Sequence, residues 1–252
     1  MAERILIEVA IESSADAVRA EAGGADRLYL CSALDLGGMT PSVGAYTEVR
    51  RVTKLPVWVA VRPRAGDFVY SESECAQMSK DVEVFCDLKA DGFVFGVLDE
   101  DGRVRDAECR LLRYRAGDTP AAFPRAFDKT PDHAAALETL IQLGFRRVLT
   151  SGGELTADAG AKDIAALIRV AAGRIEILPA GGVRATNAEH IVRVSGCDQL
   201  HGSFPEPVPE GKKRGNRGYA ARSQTCQGEV AAVRSCLDAL VAARANPPHP
   251  PA

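Results

Sequence analysis

The architecture can be read from one stretch, Ile5-Leu-Ile-Glu-Val-Ala-Ile-Glu-Ser-Ser-Ala-Asp-Ala-Val-Arg-Ala-Glu-Ala-Gly-Gly-Ala-Asp-Arg-Leu-Tyr-Leu30. An apolar run at 5–9 leads into a segment of helical period at 14–22, and a second apolar run follows at 27–30. Ser13 or Ser14 can cap the helix by accepting a hydrogen bond from a free amide of its first turn. Gly23 stands at its end, where a residue tolerating positive φ is favoured. Strand, helix and strand in this order make one unit of a parallel sheet. The glycine-rich fingerprint of a dinucleotide-binding sheet is missing after the first strand, where Glu8-Val-Ala-Ile-Glu-Ser-Ser stands instead.

Beyond this unit the same alternation recurs. Strands are predicted at 57–61, 92–97, 121–123, 147–150, 175–178 and 199–201. Helices are predicted at 43–51, 72–88, 107–115, 131–143, 161–171, 188–194 and 229–243. Pro131 suits a first helical turn, and Gly144 and Gly173 suit helix ends. Eight βα units in 252 residues, with apolar strands throughout, predict an α/β fold: one closed TIM (β/α)8 barrel over 1–244. An open doubly wound sheet is the alternative. The proline-rich tail 245–252 reads as disordered.

Composition narrows the function classes. Hydrophobic residues at 46% and charged residues at 26% are those of a globular chain, not of a disordered or fibrous one. Thirty-one basic against thirty-four acidic residues leave a net charge of −3, with no global field to attract nucleic acid or an anionic membrane. No run of about 18 apolar residues suggests a membrane span. The first residues are too acidic for a signal peptide, so a cytoplasmic protein is expected. Seven scattered cysteines without a CxxC pair argue against a disulfide framework and for reduced thiols.

In a barrel of this kind the working face lies at the C-terminal ends of the strands. There the sequence places Glu8 and His201 as candidate acid or base, and Arg62 and Arg125 as holders of a small anionic ligand. Asp128 belongs with Arg125 in Phe123-Pro-Arg-Ala-Phe-Asp. The turns containing Ser151, Gly152, Gly181 and Gly182 resemble an anion cradle, although tight βα turns use glycine for geometry alone. Arg62 and Arg64, on either side of Pro63, can present planar donors to an anion or, alternatively, form an ion pair with Glu8 or Asp67 that closes the barrel mouth, and Arg125 with Asp128 invites the same question. His133 and His190 fall inside helices, so one mouth histidine argues against a zinc or two-metal hydrolase. No predicted strand carries a lysine, which excludes a Schiff-base aldolase. Lys212-Lys-Arg-Gly-Asn-Arg-Gly-Tyr reads either as an anion clamp or as a solvated loop.

These motifs resemble one family. Gly24-Ala-Asp-Arg-Leu-Tyr-Leu-Cys, Gly37-Gly-Met-Thr-Pro-Ser, Arg62-Pro-Arg-Ala-Gly-Asp-Phe-Val-Tyr-Ser and Gly96-Val-Leu-Asp-Glu-Asp-Gly are similar to motifs of the CutC copper-homeostasis family. Phe123-Pro-Arg-Ala-Phe-Asp, Arg147-Val-Leu-Thr-Ser-Gly-Gly, Ala180-Gly-Gly-Val-Arg-Ala-Thr-Asn and Leu200-His-Gly-Ser continue the resemblance in order. It implies a cytosolic TIM barrel, a homodimer or higher homo-oligomer, and a link to Cu(I) handling. Relatives carry Glu where Tyr29 stands, His where Pro124 stands and commonly Cys where Val9 stands, so the mouth loses ionisable groups here. Cu(I) prefers two or three soft thiolate or thioether ligands, and Cys31 with one other thiol is the metal-site expectation. Three functional readings follow: a copper-homeostasis protein binding Cu(I) weakly, a barrel enzyme acting on a small anionic or carbohydrate-like metabolite, or a relative in which catalysis is lost.

Overall fold

The computed structural model describes residues 4–208 and 223–245. Eight parallel strands form one sheet: β1 Leu6–Ile11, β2 Arg27–Leu30, β3 Val57–Ala60, β4 Gly92–Val94, β5 Ala121–Phe123, β6 Arg147–Thr150, β7 Glu176–Pro179 and β8 Gln199–Gly202. Their order, β7-β6-β5-β4-β3-β2-β1-β8, runs around a barrel, and a parallel bridge from Ala180 to His201 brings its two ends together. The helices are α1 Ser14–Ala22, α2 Val43–Val52, α3 Glu72–Asp87, α4 Asp106–Ala116, α5 His133–Gln142, α6 Ala161–Ala171, α7 Ala188–Ser195 and α8 Gln227–Ala245. The TIM-barrel architecture expected from the sequence is therefore observed.

Strand periodicity sorts the core into two layers. Ile5, Ile7, Val9 and Ile11 point outward into the large apolar layer beneath the helices. Ala10, Tyr29, Cys31, Trp58, Ala60, Val94, Ala122, Leu149, Leu178 and Ala180 fill the barrel itself. Bulk and absence of bulk alternate there: a Cβ on Gly92 would collide with the Trp58 indole, so that strand carries glycine. Below this plug the interior is ionic. Arg27 pairs with Glu8, Arg147 Nη2 lies 2.7 Å from Glu176 Oε2, and the Arg147 guanidinium stacks 4.3 Å from the Trp58 ring.

Several local details differ from the sequence reading. Ser13 is the cap of α1, its hydroxyl accepting from Asp16 N at 3.2 Å. Gly23 sits at φ −79°, so its place at the helix end is not owed to a left-handed backbone, whereas Gly144 and Gly173 do have positive φ. A Cβ on Gly23 would meet Val230 of α8 at 2.7 Å, which makes close packing its role. Asp132, not Pro131, opens α5, its carboxylate accepting from the amides of Ala134 and Ala135 at 3.0 Å. An antiparallel pair, β9 Pro205–Pro207 with β10 Ser223–Thr225, adds to the predicted elements. Ala245, expected to open the tail, belongs to α8; residues 246–252 and the basic run at 212–219 lie outside the described residues.

Candidate functional site

A cavity of about 260 Å³ opens at the C-terminal ends of the strands. Its floor is the apolar plug, with Ala10, Val94, Leu149 and Ala180. Its wall carries Arg62, Arg125, Arg184, Tyr29 and His201, together with the Gly181–Gly182 turn. No Asp or Glu is among the described residues lining it.

Arg62 follows β3 and lies over the Phe68 ring at 4.6 Å. Its Nη1 and Nη2 donate to carbonyls, Leu36 O at 3.2 Å and Gly66 O at 2.7 Å, and its Nε is buried without a partner. Arg184, after β7, donates from Nη1 to its neighbour Val183 O at 2.9 Å. Neither guanidinium forms an ion pair with a described carboxylate, so the alternative in which Arg62 closes the mouth against Glu8 or Asp67 is not what the structure shows. For Arg64 the ion-pair alternative holds, since it pairs with Asp67 at 3.0 Å. Arg125 is the compensated member, with Nε donating to Asp128 Oδ2 and Nη2 to Ser151 Oγ, both at 2.8 Å.

The two glycine turns have different fates. After β6, Asp128 accepts from Thr150 Oγ1 at 2.5 Å, Ser151 N at 3.0 Å and Gly153 N at 3.3 Å, while Gly152 N donates to Thr150 Oγ1 at 2.9 Å. Ser151 is fully buried and neither it nor Gly152 reaches the cavity. The cradle expected at Ser151 and Gly152 is thus filled by the chain's own carboxylate, a correction that the sequence motif alone could not reveal. After β7 the turn is open. Gly181 and Gly182 have φ of +105° and +68°, and the amides of Gly182 and Val183 donate to no acceptor among the described residues. Consecutive uncommitted amides of this kind attract anions.

Glu8 is not at the mouth, as the sequence reading had it, but inside the barrel at 1% exposure. Burial alone would raise its pKa; the Arg27 guanidinium, with His201 and Arg147, outweighs that and holds the carboxyl well below the usual range. Oε1 faces His201 Nδ1 at 2.8 Å. His201 does line the cavity, with Tyr29 edge-on at 5.4 Å between ring centres. Burial first, then the nearby Cys31 and Glu8, push the Tyr29 phenol up, so it stays a neutral donor. Tyr29 and Pro124 both line the cavity.

Cys31 does not fit a Cu(I) centre. Its side chain is buried at 1% exposure, does not line the cavity, and points its thiol at Ile11 O at 3.8 Å. Burial, and next Glu12, push the thiol far up, away from the thiolate that copper takes. Among the described residues no group of three or more His, Cys, Asp and Glu is placed to hold a metal ion. Arg184 is a charged cavity-wall residue that the sequence reading did not single out; its place four residues beyond Ala180, after the Gly-Gly turn, was the available signal.

A closed eight-stranded parallel barrel with its cavity at the C-terminal strand ends defines the class, a TIM barrel, and the charged residues among the described lining are arginines. The chain is a member of the CutC family, whose profile matches residues 5–206. The human copper homeostasis protein cutC homolog is 43% identical over 219 residues, covering 87% of this chain and 80% of its own. A CutC family protein of Treponema denticola is 47% identical over 199 residues, covering 79% and 81%. A CutC crystal structure from Streptococcus agalactiae superposes with a TM-score of 0.76 at 33% identity, over 79% of this chain and 98% of its own. At 14% identity, N-(5'-phosphoribosyl)anthranilate isomerase from Pyrococcus furiosus shares the fold, with a TM-score of 0.56 over 94% and 100% of the two chains.

Proposed function

We propose that the chain acts through its barrel mouth on a small anionic metabolite bearing phosphate or carboxylate groups. The observation that carries this reading is the cavity's charge: Arg62 and Arg184 form no ion pair with a described carboxylate, in a wall that contains no described carboxylate. Both side chains are partly exposed, and a bound anion supplies the missing counter-charge with charge-assisted hydrogen bonds. The Gly182 and Val183 amides add neutral donors to the same wall. The relatives are named for copper homeostasis, and we infer that this chain contributes to it through the mouth ligand rather than through a thiolate copper centre. A cytoplasmic homo-oligomer is part of the proposal; its support is the family resemblance and seven cysteines that are all free, as in a reducing compartment. No described helix is long and apolar enough to cross a membrane.

The test is a thermal-shift screen with inorganic phosphate, sugar phosphates and di- and tricarboxylates on the wild type and Arg184→Gln. At least one anion is expected to raise the melting temperature of the wild type, and the variant is expected to need roughly 10- to 100-fold more of it, the loss of one charge-assisted contact of about 1.5–3 kcal/mol. A flat screen, or an unchanged response in Arg184→Gln, contradicts the reading. In a competitive Cu(I) titration, Cys31→Ala is expected to match the wild type; a lost high-affinity site would restore the copper reading.

A further inference from the structure

We propose that Glu8 fixes His201 in a single tautomer, Nδ1–H donating to the carboxylate, and so presents Nε2 to the mouth as the acceptor of a proton from a hydroxyl borne next to the ligand's anionic group. The substrate side rests on the anion reading above; the tautomer side stands on the structure alone. An ionised carboxylate has lone pairs and no proton, so the ring nitrogen facing it must carry the hydrogen. Glu8 is kept ionised by its surroundings: Arg27 is paired with it, and Arg147 Nη1 lies 3.6 Å from Oε2, a buried nitrogen with no hydrogen bond of its own. With Nδ1 committed downward, Nε2 is the ring's remaining polar atom, on a side chain that lines the cavity.

The rest of the wall leaves this role to one residue. The other described polar side chains there are arginines, tyrosines and Ser203, none of which accepts a proton readily at neutral pH. The neighbourhood also fixes the kind of substrate. Ala180 bridges His201 in parallel register, so the Gly181–Gly182 turn starts beside the imidazole. A Cβ on Gly181 would stand 2.9 Å from Arg125 Nη1, so that guanidinium borders the same turn. An anionic group seated on the turn and the arginines therefore has its neighbouring atoms at His201. A phosphorylated polyol or a 2-hydroxy acid meets this description. In the step, the substrate O–H bond breaks and an Nε2–H bond forms; the electron pair stays on oxygen, beside the arginines. The imidazolium then lies against the Glu8 carboxylate. His201 is the catalytic residue in this scheme and Glu8 its positioning residue.

Long-range proton–nitrogen correlation spectra of the 15N-labelled full chain, at about pH 9 where ordinary imidazoles are neutral, report the tautomer directly. His201 is assigned by the loss of its signals in His201→Gln. The wild type is expected to show protonated Nδ1 and bare Nε2. In Glu8→Gln, whose amide can donate to Nδ1, the two resonances are expected to exchange regions or to average. Should that variant not fold, Glu8→Asp keeps the charge beside Arg27 and withdraws the carboxylate by one methylene, and averaging is expected there. Protonated Nε2 in the wild type, or unchanged signals in the folded Glu8 variant, would overturn the proposal. Titrating the same wild-type sample with inorganic phosphate separates the two claims. Shifted His201 signals support the substrate side. No shift at saturating phosphate defeats the anion reading, and with it the substrate side, while the tautomer is still decided by the spectra without phosphate.

Discussion

Glu8 shows how one side chain is read differently once its neighbours are known. On the strand it alternates with apolar residues that face the helices, which sends it into the barrel, one layer below the mouth. Removing its charge leaves Arg27 and Arg147 buried without their shared counter-ion, so Glu8→Ala is expected to cost about 3–5 kcal/mol in urea unfolding. A loss under about 1 kcal/mol would mean that Glu176 alone neutralises the interior. Tyr29 stands where the family resemblance implies a Glu, and its place in the cavity wall makes that difference testable. Tyr29→Glu would place a carboxylate in the wall with Arg62 and His201, and is expected to weaken anion binding about 10-fold. Equal or tighter binding of phosphate would show that the cavity's charge does not select its ligand.

At the scale of elements, the turn after β6 is the clearest instance of a motif whose meaning depends on a distant residue. Thr150-Ser-Gly-Gly and Ala180-Gly-Gly look alike in sequence. Only the first is closed by a carboxylate, because the short helical turn Arg125–Lys129 after β5 delivers Asp128 beneath it. Asp128→Asn keeps the size and removes the charge that several donors share; a drop of about 1–3 kcal/mol in unfolding free energy is expected, with phosphate affinity falling less than in Arg184→Gln. The capping box at the start of α3, Ser71 with Glu74, lies outside the site, and Ser71→Ala is expected to cost about 1 kcal/mol. Strands and helices were legible in the sequence because their signals are local: apolar period, caps and end glycines. The split between the two turns was not, since the partner of Ser151 lies 23 residues away in the chain. The β9–β10 pair escaped for a similar reason, as both strands are short and separated in sequence and β9 carries two prolines.

Over the whole molecule, the barrel holds its charge in two zones with opposite requirements. The lower zone is self-neutralising, Glu8 and Glu176 against Arg27 and Arg147; the charged side chains among the described residues lining the mouth cavity are arginines. The lower zone sets the acid stability. Burial raises the pKa of Glu8 and of Glu176, but the adjacent arginines more than reverse it, so both titrate below the ordinary carboxylate range when folded. A depressed folded pKa contributes stability above the unfolded value, about 4.3 for Glu, and that stability is lost as pH falls through the folded value. The urea midpoint is therefore expected to hold down to about pH 5 and then to drop steeply. The mouth carries the proposed function, and the anion reading depends on the cationic wall. The decisive measurement is a calorimetric titration of inorganic phosphate into the wild type and into Arg62→Gln/Arg184→Gln, at low and at physiological salt. Saturable binding to the wild type is expected, weakening with salt and lost in the double variant; no binding to the wild type, or equal binding to both proteins, would show that the wall does not select an anion.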